Sequence, residues 1–347
     1  MKIDGVEASL LGLLKELDYA KYDVDLCLQH NEGPWMSEIP KQVHLLPELQ
    51  VHKRCERLVK FLIYWIAGIY YRVFRRSHID PVGDAQITYA IRSFFGWFPR
   101  KLSDKYYDEC WIFGGNPGFA KRIDASIKKT WVHEDWGAWE PIPFLARQQF
   151  KGVDYVVNVS VPAKDQFDAL DLISGNTQSV VIENVLSVRW LMERATAYEV
   201  PNFDGVKLLS VGRASASKNY GRAVAAAKIL KSKGLRFKWV VIGDGWALEG
   251  LRKKTQEFNV ADVIEFVGGN TNPCPYYRWC DIYVCTSDTE SKGMTICEAH
   301  EFNKPVIMTN FPAAHTQVID SMKDIIVEMS EYAIADAILG QAARMSV

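Results

Sequence analysis

Between residues 207 and 327 the chain repeats one pattern: short apolar runs at 207–212, 238–243, 264–268, 282–287, 305–309 and 325–327. Continuously apolar runs of this length read as strands buried on both faces, and strands of that kind are parallel. The stretches between them carry helical spacing, as over 223–230 and from about 333. Parallel neighbours need a crossover, so strand alternating with helix winds into an open sheet covered on both sides. Ligands of such sheets bind beyond the carboxyl ends of the strands. The residues following each run are therefore the ones to read for chemistry.

After the run 281–286 comes Ser287-Asp-Thr-Glu290-Ser-Lys-Gly293-Met294-Thr295-Ile-Cys-Glu298-Ala299. Ile296, Ala299 and Phe302 give a helix face, with Thr295 as its candidate cap. Glu290 lies in the loop and Glu298 one turn into the helix. Gly293 permits close backbone approach, and the N–H groups opening a helix favour a phosphate. Two carboxylates flanking an anion site suit a hydroxyl-rich ligand built around a pyrophosphate, such as a nucleotide sugar. The plain alternative is a solvated first-turn acid and a chance neighbour. A second loop has the same form: after 206–211 come Gly212 and Arg213, then Lys218. Arg can fork two phosphate oxygens and Lys supplies a mobile point charge. Here the alternative is two surface cations.

Together, Gly212-Arg213-x4-Lys218 and Glu290-x7-Glu298 resemble the donor half of retaining glycosyltransferase family 4 (glycosyltransferase group 1), of GT-B fold. Gly243-Asp-Gly245, Phe266-Val-Gly268 and Lys304-Pro305 agree in order, so the resemblance covers 205–329. It implies Arg213 and Lys218 on the diphosphate, Glu298 on the ribose hydroxyls and Glu290 on the sugar. Gly212, Gly243, Gly293, Met294 and Thr295 would line the donor site. The pattern Trp131-x-His133-x-Asp135 resembles the acceptor half in the polysaccharide and lipopolysaccharide branch, where such a histidine faces the transferred sugar. A lone His at a strand end is otherwise structural. The family's first helix follows a strand and a glycine loop facing the diphosphate, which brings Gly5 into the donor set. Only three residues precede Asp4, so the expectation is an α/β chain of two Rossmann-like doubly wound domains facing a cleft, its first strand and C-terminal closing helices trimmed. The domains expected are 1–200, binding acceptor, and 201–347, binding donor.

At 347 residues the chain is long enough for two cores. A net charge of −1 argues against a general nucleic-acid binder. The seven cysteines form no CxxC pair, as expected for free thiols in a reducing cytoplasm. No apolar run of about 18 residues is free of charge, so no transmembrane helix is expected.

Earlier in the chain, Val6, Leu10, Leu13, Leu14 and Leu17 form a helical stripe. Residues 22–28 alternate as a half-buried strand, with Asp23 and Asp25 on its solvated face. A metal-binding acidic pair of the GT-A type is the rival reading of those two. A second strand is expected at 43–46 and further ones near 108, 129, 154 and 179, with an irregular linker over 184–203.

Segment 53–76 stands apart. Lys53, Arg54, Arg57, Lys60, Arg72, Arg75 and Arg76 face a single acid, Glu56, around an apolar, aromatic stretch containing Trp65. It suits a helix lying in an anionic headgroup region; an ordinary core helix with basic ends is the alternative.

The expected enzyme is a hexosyltransferase, with retention implied by the resemblance. It moves sugar from a nucleoside diphosphate sugar to a hydroxyl on a glycan or lipid-linked glycan, in cell-surface polysaccharide synthesis. It would use no cofactor and no metal, and would lie in the cytoplasm, peripheral on the inner face of the plasma membrane. The rivals are a GT-B sugar-nucleotide epimerase and a non-catalytic GT-B partner subunit.

Overall fold

The computed structural model describes residues 5–48, 65, 101–133 and 143–345. By contacts the chain divides into two units. One comprises Met1–Val24, Glu32–Val43 and Asn184–Val347; the other comprises Asp25–Asn31 and His44–Glu183. This grouping sets the first helix with the second sheet and begins that unit at Asn184, where the sequence reading begins it at 201.

The larger unit is a six-stranded parallel sheet. Its strands and helices run β7 (Val206–Val211), α5 (Tyr220–Ser232), β8 (Phe237–Ile242), α6 (Leu248–Glu257), β9 (Ile264–Gly268), α7 (Cys274–Trp279), β10 (Ile282–Cys285), α8 (Met294–Glu301), β11 (Val306–Thr309), β12 (Ile325–Val327) and α9 (Glu331–Met345). The strand order is β12-β11-β10-β7-β8-β9. Winding therefore reverses between β7 and β10, and the loops after those two strands flank the switch point.

Period-two alternation explains why the strands read as unbroken apolar runs. Leu208, Trp239, Val241, Ile282, Val284 and Ile307 bury one face with residues of α5, α6 and α9. Leu209, Val240, Ile242, Tyr283, Cys285 and Met308 bury the other, with residues of α7 and α8. Every position is inside, so no polar alternation survives. One polar link crosses this core: Trp239 Nε1 donates to Ser210 Oγ (3.0 Å), which donates to the Val284 carbonyl (2.5 Å).

Two helices outside the sheet belong to this unit, α1 (Gly5–Glu16) and α4 (Val188–Arg194). The buried face of α1 is Ala8, Ser9, Leu11, Gly12 and Leu14. It is rotated from the expected leucine stripe, of which only Leu14 is fully buried. The cause is close approach: a Cβ on Gly12 would lie 2.4 Å from the Val185 carbonyl oxygen, so small residues face the contact. The expected irregular linker contains α4, capped by Ser187, whose side chain accepts from Trp190 N.

The smaller unit has the parallel sheet β3 (Tyr106–Ile112), β4 (Asp124–Val132), β5 (Tyr155–Asn158) and β6 (Gln178–Val181), in that spatial order. With it go α2 (Pro143–Phe150), α3 (Val161–Asp168) and a short parallel pair, β1 (Asp25–Leu26) and β2 (His44–Leu45). The strand expected over 22–28 is thus only two residues long. Asp25 is also not solvated. Its side chain is 3% exposed and accepts from Lys105 (2.9 Å), Tyr107 (2.7 Å) and His44 (3.0 Å). Burial pushes its carboxyl up, and those three partners bring it below the usual range. Asp23 is exposed, as expected. Of segment 53–76 only Trp65 is described, helical and exposed; the rest of the expectation lies outside the described residues. None of the described helices is long and apolar enough to cross a membrane.

Candidate functional site at the switch point

The loop after β7 begins at Gly212, and the loop after β8 begins at Gly243, with φ +147°. A Cβ on Gly243 would lie 1.9 Å from the Gly212 carbonyl oxygen, so glycine alone fits where the two loops cross. Ala214 N donates to Asp244 O (2.8 Å) and Ala247 N to Ala214 O (3.1 Å), fixing the loops in register. Arg213 is exposed at this edge, while Lys218 turns toward β10.

The loop after β10 is tied to the first by side chains. Arg222 donates to the Thr286 carbonyl (2.7 Å) and pairs with Asp288 (2.8 Å), to which Asn219 also donates (3.1 Å). Asp288 N donates to Ser217 O (2.8 Å), and Thr286 Oγ1 to the Lys218 carbonyl (2.8 Å). These struts place Lys218 Nζ 2.5 Å from Glu290 Oε1, which also accepts from Ser287 Oγ (2.7 Å). Only 19% and 12% of the two side chains is exposed. Burial by itself lowers the lysine pKa, but the Glu290 charge and hydrogen bond outweigh it, and the net direction is up. Lys218 is held cationic.

Gly293 closes this loop in the left-handed conformation (φ +64°) and caps α8. The expected cap, Thr295, lies inside the helix; the sharp turn needs positive φ more than it needs a side-chain acceptor. The N–H groups of Met294 and Thr295 open α8 and have no partner within it, because a helix leaves its first donors unsatisfied. The start of α1 lies beside them: a Cβ on Gly5 would sit 3.9 Å from Met294 Cγ. Two helix N-termini therefore converge here, both favouring negative charge.

Glu298 lies one turn along α8, 9% exposed. Tyr277, stacked between Tyr283 and Phe302, donates its hydroxyl to Glu298 Oε2 at 2.7 Å. Burial lifts the Glu298 carboxyl to about 7, although Tyr277, Arg194 and Lys218 each pull the other way.

The structure thus gathers Gly212, Lys218, Gly243, Glu290, Gly293, Met294, Thr295, Glu298 and Gly5 in one unit, with Arg213 at its rim. His133 belongs to the other unit, at the end of β4. Its Nε2 lies 2.7 Å from the Phe113 carbonyl and its ring packs on that phenyl. A carbonyl only accepts, so Nε2 carries the proton. The sequence assigns no role to Tyr277, Ser287, Asp288 or Arg222. Each acts by orienting another side chain, and no local spacing marks that role.

Residues 198–339 match the family model "Glycosyl transferases group 1". Alpha-monoglucosyldiacylglycerol synthase of Streptococcus pneumoniae is 33% identical over 140 residues, covering 39% of this chain and 31% of that protein. Amylovoran biosynthesis glycosyltransferase AmsD of Erwinia amylovora is 26% identical over 113 residues, covering 33% and 32%. The chain spans about a third of the length of these curated relatives. Among solved structures, trehalose-6-phosphate synthase OtsA aligns over 99% of this chain and 88% of its own, with TM-score 0.67 and 13% identity. Anabaena HepE in complex with UDP aligns over 98% and 87%, with TM-score 0.61 and 13% identity. These two likenesses show the fold, which is GT-B. Residues 198–339, about two fifths of the chain, are thus similar to the glycosyl transferases group 1 family.

Proposed function

We propose that this protein is a glycosyltransferase that moves a hexosyl unit from a nucleoside diphosphate sugar to a hydroxyl of a glycan or lipid-linked glycan. The observation that carries this reading is the placement of Lys218, Glu290 and Glu298 around the start of α8 at the switch point. In this reading the diphosphate rests on the α8 N–H groups between Arg213 and Lys218, and Glu298 accepts from the ribose hydroxyls. Both bonds on Glu290 use Oε1, leaving Oε2 to accept from the sugar.

Transfer breaks the bond between the anomeric carbon and the phosphate oxygen, and negative charge builds on the diphosphate. In this reading Arg213, Lys218 and the helix dipole stabilise that charge as it forms. The acceptor hydroxyl attacks from the face the phosphate leaves and gives its proton to the departing oxygen, so configuration is retained. Fixed cations take the place of a divalent ion, and activity is expected to persist in excess chelator. The smaller unit is assigned the acceptor, with His133 facing the transferred sugar.

The relatives named for glucosyldiacylglycerol and amylovoran synthesis support a glycolipid or polysaccharide product. Segment 53–76 would then dock the enzyme on an anionic membrane from the cytoplasmic side. The test is transfer of radiolabelled sugar from UDP-glucose or UDP-galactose to diacylglycerol or glucosyldiacylglycerol in anionic vesicles, with His133→Ala beside wild type. The reading predicts labelled lipid, and a His133→Ala defect in turnover with donor binding intact. Release of an epimerised nucleotide sugar with no glycoside would contradict it.

A further inference from the structure

The loop that follows β9 is held by residues from outside the sheet. Arg194, the last residue of α4, donates from Nη2 to the Thr271 carbonyl and from Nε to Asn272 Oδ1 (3.3 Å). Asn272 Nδ2 returns a bond to the Arg194 carbonyl (2.9 Å). Trp35 Nε1 donates to the same Thr271 carbonyl (3.0 Å).

Arg194 is itself braced. Its Nη1 lies 3.0 Å from Glu38 Oε1, and its guanidinium sits 4.6 Å over the Trp190 ring. Trp190 Nε1 donates to the other Glu38 oxygen (2.9 Å), and Lys15 of α1 pairs with that oxygen at 3.3 Å. Burial pushes the Glu38 carboxyl up, but these bonds and charges bring it below the usual range, so it is ionised at neutral pH.

A short loop after an edge strand is ordinarily among the most mobile parts of an open sheet. Here a guanidinium fork and an indole immobilise its backbone at the ligand-binding edge. The loop runs directly into α7, whose Tyr277 orients Glu298, and the Arg194 charge also reaches Glu298. A ligand anchored by phosphates at Lys218 and by ribose at Glu298 has its base left to place, and the braced loop leads into α7, whose Tyr277 bonds the ribose anchor. Immobilising a loop in its bound form strengthens binding by removing the cost of ordering it.

We propose that Arg194 is a positioning residue for nucleoside recognition: braced by Glu38 and Trp190, it fixes the backbone of residues 270–272 as a wall for the base end of the donor. The N-terminal segment, through Glu38, Trp35 and Lys15, is thereby part of the donor site. The inference rests on the donor-site reading above.

The test is calorimetric titration of UDP, GDP and ADP into wild type, Arg194→Ala, Arg194→Lys and Glu38→Gln. Pyrophosphate serves as a base-free probe of the phosphate loops, and thermal melts accompany each variant. The expected result is roughly tenfold weaker UDP binding in Arg194→Ala, with discrimination among the three bases reduced and pyrophosphate affinity unchanged. Arg194→Lys should recover part of the loss, and donor KM should rise more than kcat falls. If Arg194→Ala does not fold, the milder Arg194→Lys and Glu38→Gln decide the matter by the same readings. Unchanged UDP affinity and base preference in the folded variants would overturn the inference, as would a parallel loss of pyrophosphate. Wild type that binds no nucleoside diphosphate at all would instead overturn the donor-site reading beneath it.

Discussion

Lys218 Nζ lies 2.5 Å from Glu290 Oε1, joining the loop after β7 to the loop after β10 across the point where the sheet reverses. The pair is mostly buried, so each charge depends on the other. Removing one leaves the second desolvated and unpaired, which costs more than the pair contributes.

Lys218→Ala should therefore lower stability by about 1–3 kcal/mol, and the double variant Lys218→Ala/Glu290→Gln should regain part of that. Turnover should not recover in the double variant, because the cation assigned to the departing phosphate is still missing; roughly 2–4 kcal/mol of transition-state stabilisation is expected to go. Urea unfolding read beside kinetics separates the two effects. A double variant that is both stable and active would show the pair to be a structural clasp only.

Glu298 makes stability depend on pH. Its carboxyl titrates near 7 in the folded chain against an ordinary value of 4.5, so the folded state holds the proton more tightly. The sign follows: the contribution is complete below about pH 4.5 and is lost as pH rises through about 7. Its ceiling is about 3 kcal/mol. Melting temperatures of the ligand-free protein should fall between pH 5 and 8 more steeply in wild type than in Glu298→Gln, which cannot ionise. Parallel slopes would mean that Glu298 is ionised throughout.

Gly243→Ala tests the crossing of the loops. Its Cβ would fall 1.9 Å from the Gly212 carbonyl, at a φ of +147° that L-residues avoid. Both problems are in the backbone, where no side-chain rotation relieves them. A loss of at least about 2 kcal/mol in unfolding free energy is expected, together with weaker nucleotide binding. A variant with wild-type stability would mean that the loops part easily.

The six-stranded sheet was legible because its strands are buried on both faces, and the candidate site residues follow them at short, fixed spacing. Gly212, Lys218, Glu290 and Glu298 could be picked out from 13 and 16 residues of text (287–299 and 206–221). The residues that aim them could not. Tyr277 reaches Glu298 from another helix, and Asp288 and Arg222 meet only because β7 and β10 are neighbours. The acidic pair at 23 and 25 misled for a related reason. Alternation assigned Asp25 to solvent, but Lys105, Tyr107 and His44 arrive from distant parts of the chain and bury it. The face of α1 was misjudged because leucines attract attention, whereas the closest contact is made by Gly12.

Calorimetric titration with UDP in excess chelator tests most directly whether a nucleoside diphosphate is held between Lys218 and Glu298. Wild type should bind without added metal. Lys218→Ala and Glu298→Gln should each weaken binding by roughly tenfold or more, having lost the groups assigned to the phosphates and to the ribose. Glu290→Gln should bind as well as wild type, because its carboxylate is assigned to the sugar that UDP lacks. Equal affinity across all four proteins, or no binding by wild type, would contradict the account.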